Sequence, residues 1–207
     1  MILCDIGNSF YHFYEKGHIW KVPNNEKPEL TLNGKKLYYI SVNEYGENRL
    51  LDNYPALSLE PYITLDTNYN GLGIDRAVGC MAIDDGVIID AGSAITIDIV
   101  QNSMHLGGYI LPGLNQYQTM YANISNRLKK EITFEINENI LPQNSVEAIS
   151  YGIIMPIVEI IKKSAKNKRI YFTGGDGPYF SRFFPNSSVD HSLLFKGMMK
   201  IIEESKC

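Results

Sequence analysis

Two short stretches of this sequence combine a carboxylate, a glycine and a small polar side chain where a predicted strand ends. They are Asp5-Ile6-Gly7-Asn8-Ser9, after the apolar run 1–4, and Asp90-Ala91-Gly92-Ser93, after the apolar run 87–89. A carboxylate suits the cation of a nucleotide phosphate, and a glycine turn with a hydroxyl offers N–H and O–H donors to phosphate oxygens. Both stretches therefore have the residue types that bind a phosphate with its metal ion.

Each stretch alone is also a common hairpin turn, since Asp, Gly, Asn and Ser favour turns for local reasons. Both copies, however, follow one order: apolar strand, acidic turn, returning strand. In the returning strand of the second copy, isoleucine at 95, 97 and 99 alternates with Thr96, Asp98 and Val100. Two copies with one order indicate an internal duplication.

A third acidic group lies in Gly73-Ile74-Asp75-Arg76. Apolar residues over 74–83 recur at helical spacing, which predicts a helix with one face in the core. Asp75 and Arg76 then fall in its first turn, where unpaired N–H groups and the positive end of the helix dipole favour a carboxylate and a nearby anionic ligand. A charged helix start without a functional role fits these residues equally well.

The elements that must position these groups alternate between strands and helices, which is typical of an α/β protein. Further strands are predicted at 18–22, 37–42, 57–59, 62–64, 106–111 and 169–172, and helices at 44–51, 113–128, 145–161 and 193–204. Ser145 is expected to cap the third of these helices. Residues 129–142 are expected to be irregular.

Composition excludes several classes of function. The chain has 207 residues, enough for two small lobes or one large domain, and a net charge of -4, which argues against nucleic acid as a partner. Cys4, Cys80 and Cys207 show neither a disulfide framework nor metal-ligand spacing. No apolar run approaches a membrane span and no leader pattern opens the chain, so a cytoplasmic location is expected.

The paired acidic turns resemble the two phosphate loops of the actin, sugar kinase and Hsp70 ATPase superfamily. Four further stretches, in the family's order, are similar to the type III pantothenate kinases: Gly73–Arg76, Gly107–Gly113, Asn144–Ile149 and Thr173–Asp176. The resemblance implies an α/β, two-lobed actin-like ATPase (ribonuclease H-like) fold with duplicated mixed sheets flanked by helices. The expected lobes are 1–85 and 86–207, with the two acidic turns facing one cleft.

The resemblance also implies a reaction: ATP-dependent phosphorylation of pantothenate to 4'-phosphopantothenate, the first step of coenzyme A biosynthesis. It implies ATP, Mg2+ and a monovalent cation (K+ or NH4+) as cofactors, and a cytoplasmic homodimer with no nucleic-acid or membrane partner. Asp75 is the expected general base, and Asp90 and Asp5 the expected metal ligands. The expected nucleotide-binding residues are Asp5, Ile6, Gly7, Asn8, Ser9, Phe10, Tyr11, His12, Gly92, Ser93, Gly174 and Gly175. The expected substrate-binding residues are Gly73, Ile74, Asp75, Arg76, Ser145 and Tyr69.

The sequence departs from the family pattern at three hydroxyls, since Ser9, Ser93 and Ser145 stand where the family more often has threonine. Serine keeps a donor and an acceptor. Two other functions fit the same motifs: a kinase of another small alcohol or sugar, and a regulatory member of the family that binds without catalysis. The complete set of acids, Asp5, Asp75 and Asp90, argues against the second.

Overall fold

A computed structural model describes residues 1–205, and Cys207 lies outside the described residues. The strands are β1 Ile2–Ile6, β2 Phe10–Glu15, β3 His18–Pro23, β4 Leu37–Ser41, β5 Ala56–Ser58, β6 Asp66–Thr67, β7 Gly86–Ala91, β8 Ala94–Gln101, β9 Met104–Pro112, β10 Ile170–Thr173 and β11 Ser187–Val189. The helices are α1 Glu44–Leu51, α2 Ile74–Met81, α3 Leu114–Ile124, α4 Ser145–Ala165, α5 Gly177–Ser181 and α6 Leu193–Ser205, with single 3-10 turns at Glu60–Tyr62 and Asn126–Leu128. Among the helices of the described chain, none combines the length and apolar character needed to cross a membrane.

The chain divides into two compact units. The first contains Met1–Asp85, Val100–Gly107 and the chain from His191 onward, and the second contains Gly86–Ile99 and Gly108–Asp190. The first unit thus includes two segments from later in the sequence. The assignment of 1–85 and 86–207 as two actin-like lobes stays a prediction.

The two main sheets repeat one strand order. The first is β3-β2-β1-β4-β5, and the second contains β9-β8-β7-β10-β11 in the same succession. In the first sheet, β4 runs parallel to β1 and β5 runs parallel to β4. In the second, β10 runs parallel to β7 and β11 runs parallel to β10. The hairpin turns repeat as well: Lys16 and Gly17 between β2 and β3, and Asn102 and Ser103 between β8 and β9, all have positive φ, as two-residue turns matched to strand twist require. The predicted α/β class with duplicated mixed sheets is confirmed.

The first unit packs helices on both faces of its sheet, because successive side chains of a strand point to opposite faces. One face, with Leu3 and Ile40, packs against α2 and α6. The other, with Cys4 and Ile6, packs beneath α1 through Leu50. At Gly197 an added Cβ would lie 2.0 Å from the carbonyl oxygen of Val78. The backbone of α6 therefore packs directly on α2, which fixes the helix that carries Asp75.

The second unit buries the predicted apolar stripe of α4 against its sheet. Ile153, Ile154 and Ile157 are buried together with Ile89 of β7 and Phe172 of β10. These contacts anchor β7 and β10, whose carboxyl ends carry Asp90 and the Gly174 loop.

Three predictions about elements are wrong. Asn144, not Ser145, caps α4: its side chain accepts the N–H of Glu147 at 3.0 Å, and Ser145 is the first helical residue. The segment 62–64 is not a strand: Tyr62 ends a 3-10 turn that contains Pro61, and proline donates no backbone hydrogen bond. The helix after Gly113 ends at Ile124 rather than near Leu128, where a separate 3-10 turn follows.

Candidate active site

In the first unit, Asp5 lies at the carboxyl end of β1. It pairs across the hairpin with His12 of β2, whose Nδ1 lies 3.4 Å from Asp5 Oδ2. The side chain of Asp5 is 14% exposed, so the carboxylate is accessible from one side only. β1 thus places a carboxylate at the carboxyl end of the central strand, where the acidic turn begins.

The predicted nucleotide segment Asp5–His12 divides into an open turn and a buried strand. Gly7 closes the turn by donating its N–H to the carbonyl of Phe10 at 3.0 Å, and Asn8 and Ser9 are exposed. Tyr11 is fully buried, and its hydroxyl donates to the carbonyl of Gly46 at 2.8 Å. The ring of Tyr11 is therefore a core group, whereas the turn is open to a ligand.

Asp75 lies in the first turn of α2, as predicted. Its Oδ1 accepts the backbone N–H of Arg76 at 2.8 Å. Burial raises the pKa of Asp75 above the ordinary aspartate value and the negative charge of Asp5 raises it further, while the N–H and positive charge of Arg76 oppose the shift. A carboxylate with a raised pKa is a better proton acceptor, which suits a general base.

Gly73 leaves the space that this carboxylate occupies. A Cβ at residue 73 would lie 2.7 Å from Asp75 Oδ1. From the sequence, Gly73 is expected to let a substrate approach the backbone. The structure adds a second reason, because any side chain at this position would displace the carboxylate of Asp75.

Tyr69 and Arg76, both expected among the substrate-binding residues, contact each other. The guanidinium of Arg76 lies over the ring of Tyr69, 5.0 Å from its centre, and Nη1 is 3.5 Å from the phenol oxygen. The ring of Tyr69 also packs on that of His105, with 5.7 Å between the ring centres. Nδ1 of His105 lies 2.9 Å from Thr67 Oγ1 and hydrogen bonds to it. Sequence reasoning missed His105 and Thr67, which hold Tyr69 in place, because the parallel pairing of β6 with β9 that joins them has no local sequence signal.

In the second unit, the loop after β10 lies directly on the acidic turn. Thr173 pairs with Asp90 between the parallel strands β10 and β7. Gly174 follows with a φ of 79°, and a Cβ there would lie 2.4 Å from the carbonyl oxygen of Ala91 and 2.5 Å from Asp90 Oδ1. The N–H of Asp176 donates to the same carbonyl of Ala91 at 2.9 Å. The structure thus brings Gly174 and Asp90 together.

The turn Gly92–Ser93 is packed against Gly113 in the same way. The N–H of Gly113 donates to the carbonyl of Ser93 at 3.3 Å, and a Cβ at Gly113 would lie 2.4 Å from the carbonyl oxygen of Gly92. Ser93 itself is exposed. Sequence reasoning noted the motif that contains Gly113 but assigned it no role.

Two other residues complete the candidate set in this unit. Gly175 is exposed, and a Cβ there would meet no atom within 4 Å. Ser145 is exposed at the first position of α4. Both remain open to a ligand.

The chain is similar in sequence to the proteins of one known family. The sequence profile of the type III pantothenate kinase family matches residues 56–167. A type III pantothenate kinase of Wolinella succinogenes is 50% identical over 208 residues, covering 100% of this chain and 98% of that protein. The protein of the same name from Helicobacter hepaticus is 51% identical and covers 99% of both chains.

A crystal structure is also similar over the whole chain. It is a conserved Campylobacter jejuni protein, provisionally named a Baf family transcriptional activator, with a TM-score of 0.86, 42% identity and coverage of 100% of this chain and 99% of that one. Since the curated relatives match along the full length at about half identity, the chain belongs to the type III pantothenate kinase family.

Proposed function

We propose that this protein transfers the γ-phosphoryl group of ATP to the hydroxyl of pantothenate and forms 4'-phosphopantothenate, the first step of coenzyme A biosynthesis. The observation that carries the proposal is the state of Asp75: a half-buried carboxylate with a raised pKa, in the first turn of α2, beside Arg76. In a member of this family, that arrangement supports a general base for an alcohol.

The residues of each unit fit a metal-bound nucleotide. Asp5 and Asp90 are each the penultimate residue of a strand that leads into a turn, and hard cations such as Mg2+ prefer carboxylate oxygens. ATP supplies the phosphoryl group, and Mg2+ neutralises its phosphate charge. Asp5 and Asp90 would each serve as a carboxylate ligand for a metal ion such as Mg2+, and Asp90 would also contribute to a site for K+ or NH4+.

Phosphate and nucleoside contacts follow from the open backbone. The turns Gly7–Ser9 and Gly92–Ser93 would donate N–H and O–H groups to phosphate oxygens. Gly174 and Gly175 would lie against adenine or ribose, because the open space beside Gly175 leaves room for a ring.

On the substrate side, Asp75 would accept the proton of the pantothenate hydroxyl as the oxygen attacks the phosphorus. Arg76 would bind the carboxylate of pantothenate with its paired donors, held in place by the ring of Tyr69. Gly73 and Ile74 would admit the substrate to the start of α2, and Ser145 would donate or accept one hydrogen bond. No step requires a covalent intermediate with the protein.

We also propose that the protein works as a cytoplasmic homodimer. Exposed apolar side chains on neighbouring elements of the second unit support this: Ile110 of β9 is 61% exposed and Ile124 of α3 is 70% exposed. Sedimentation analysis would reveal the dimer, and a monomer at micromolar concentration would contradict it.

The direct test is a steady-state assay with ATP, Mg2+, K+ and pantothenate. Asp75→Asn removes the base but keeps the shape of the side chain, so kcat should fall about 100-fold or more while ATP still binds. Asp52→Asn is the matched control, because it removes a charge from the exposed C-cap of α1, and its kcat should be unchanged.

The test has two decisive failures. Folded wild-type protein that makes no phosphopantothenate with K+ or NH4+ would contradict the function. Asp75→Asn with activity within a few-fold of wild type would reject Asp75 as the base.

A regulatory function is the second candidate, because the similar Campylobacter jejuni protein carries the name of a transcriptional activator. A wild-type protein that binds ATP and a DNA fragment but turns over no pantothenate would favour it. The net charge of -4 disfavours binding to DNA phosphates, so kinase activity is the outcome we expect.

A further inference from the structure

We propose that Asn24 and Asn43 are positioning residues that hold the turn Gly7–Ser9 in a phosphate-binding conformation. Neither asparagine belongs to a motif of the proposed active site. The inference deepens the proposed function, since it rests on this turn binding a phosphate of ATP.

Three consecutive carbonyl groups of the turn accept hydrogen bonds from outside it. Asn24 Nδ2 donates to the carbonyl of Gly7 at 2.6 Å, and Asn43 Nδ2 donates to the carbonyl of Asn8 at 3.1 Å. The backbone N–H of Asn24 donates to the carbonyl of Ser9 at 3.0 Å. Two asparagines thus fix the direction of every carbonyl in the turn.

Fixing the carbonyls also fixes the N–H groups. In a trans peptide the C=O of one residue and the N–H of the next point in opposite directions. With the carbonyls of Gly7 and Asn8 directed at the asparagines, the N–H groups of Asn8 and Ser9 are directed away from them. Neither N–H forms a hydrogen bond within the described chain, and both residues are exposed. Two adjacent unpaired N–H donors at an exposed turn can donate charge-assisted hydrogen bonds to one anion.

The orientation of Asn43 follows from its second contact. Its Oδ1 accepts the N–H of Gly46 at 2.9 Å and caps α1, so Nδ2 must be the end that faces the turn. One side chain therefore couples the start of α1 to the carbonyl of Asn8.

Asn24 is placed at a cost to stability. It is 7% exposed, and its Oδ1 is buried without a hydrogen-bond partner. Arg49 Nη1 holds its backbone by donating to the carbonyl of Asn24 at 3.2 Å. An unsatisfied buried acceptor destabilises a fold, so packing alone would favour an apolar side chain here. The donor to Gly7 is the contact that explains an asparagine.

The experiment separates helix capping from turn positioning. Asn43→Ser keeps a good N-cap for α1 but removes the donor to Asn8. Loss of one hydrogen bond that orders a binding turn should weaken ATP and ADP binding about fivefold by calorimetry. The KM for ATP should rise in parallel, with the KM for pantothenate within twofold and the melting temperature nearly unchanged.

Asn53→Ser is the matched control. It removes an asparagine donor from the other end of the same helix, where Asn53 Nδ2 donates to the carbonyl of Arg49 at 2.8 Å. The turn keeps both of its asparagines in this variant, so ATP affinity should not change. Asn24→Ala, which removes the bond to Gly7, should weaken ATP binding at least as much as Asn43→Ser.

The results distinguish this inference from the proposed function. If wild-type protein binds ATP and Asn43→Ser and Asn24→Ala bind it equally well, this inference alone fails. It also fails if Asn43→Ser lowers the melting temperature but leaves the KM for ATP unchanged. If wild-type protein binds ATP but does not phosphorylate pantothenate, only the proposed function fails.

Discussion

The two acidic turns of this protein have similar residue types but are held in different ways. Two of the three carbonyls of the turn Gly7–Ser9 are held by side chains, because the side-chain amides of Asn24 and Asn43 donate to the carbonyls of Gly7 and Asn8. The turn Gly92–Ser93 and the adjoining Ala91 are held by backbone, because Gly113 and Gly174 approach their carbonyl oxygens more closely than any Cβ would permit.

The difference teaches how each turn should respond to mutation. Loss of a side-chain hydrogen bond lets the peptide groups of the first turn rotate without moving the strands beside it, so this turn should lose ligand affinity before it loses stability. A backbone carbonyl cannot move aside without moving its strand, so the second turn should lose stability first. We therefore expect the first turn to change conformation at little cost in stability and the second turn to be rigid.

The largest expected effect is that of Gly174→Ala in the second unit. The new Cβ would lie 2.4 Å from the carbonyl oxygen of Ala91, and the residue has a φ of 79°. The steric clash and the positive φ both destabilise the variant, and together they should lower the free energy of unfolding by more than about 3 kcal/mol. The melting temperature should fall by about 6 °C or more in a calorimetric scan.

Gly175→Ala is the control for that prediction. Its Cβ would meet no atom within 4 Å, so stability should change by less than about 1 kcal/mol. Nucleotide affinity should still fall if the adenine or ribose lies against this residue. Equal melting temperatures for the two variants would refute the rigid second turn.

Gly73→Ala should have a smaller and different effect in the first unit. The new Cβ would lie 2.7 Å from Asp75 Oδ1, the end of a side chain that can rotate. The carboxylate should therefore move rather than the backbone, and kcat should fall about 10- to 100-fold because a displaced base loses its reach to the hydroxyl. The melting temperature should change little.

Measuring kcat and the melting temperature of Gly73→Ala checks this prediction. Gly79→Ala is a suitable control, and Gly71→Ala is not. Gly71 has a φ of 71° and is strained by any side chain, whereas a Cβ at Gly79 in α2 would meet no atom within 4 Å. Gly79→Ala should keep full activity. A Gly73→Ala enzyme with normal kcat would show that Asp75 tolerates displacement.

Much of this fold could be predicted from local sequence. The helix at 44–51 and the strands around both acidic turns follow from apolar periodicity and turn residues, and they match α1, β1, β2, β7 and β8. Asp75 could be placed in a first helical turn because Gly73 precedes an amphipathic run. These features depend on neighbours in the chain.

The residues that hold the site could not be predicted, because their partners are distant in sequence. Asn24 contacts Gly7 and Asn43 contacts Asn8 across 17 and 35 residues. The close contact of Gly113 with Gly92 also depends on the fold. The short elements α5 and β11 were missed because five and three residues carry too little periodicity to detect.

The smallest expected effect is on the pH dependence of stability. It can be compared between Asp75 in the first unit and Asp176 in the second. Burial raises the pKa of Asp75 and of Asp176, but only for Asp75 does the charge of Asp5 add to the shift. At a pH between the ordinary aspartate pKa and the raised folded pKa, these carboxyl groups are deprotonated in the unfolded chain but still protonated in the folded protein. Stability contributed by each group is therefore lost as pH rises through its folded pKa.

Asp75→Asn and Asp176→Asn should each gain stability relative to wild type as pH rises from about 4 towards neutrality. Urea unfolding at several pH values measures the gain. In an Asp5→Asn background the gain from Asp75→Asn should shrink, since the repelling charge is gone, whereas the gain from Asp176→Asn should stay the same. Equal responses of both groups to Asp5→Asn would show that Asp5 acts on the whole protein rather than on the first-unit site alone.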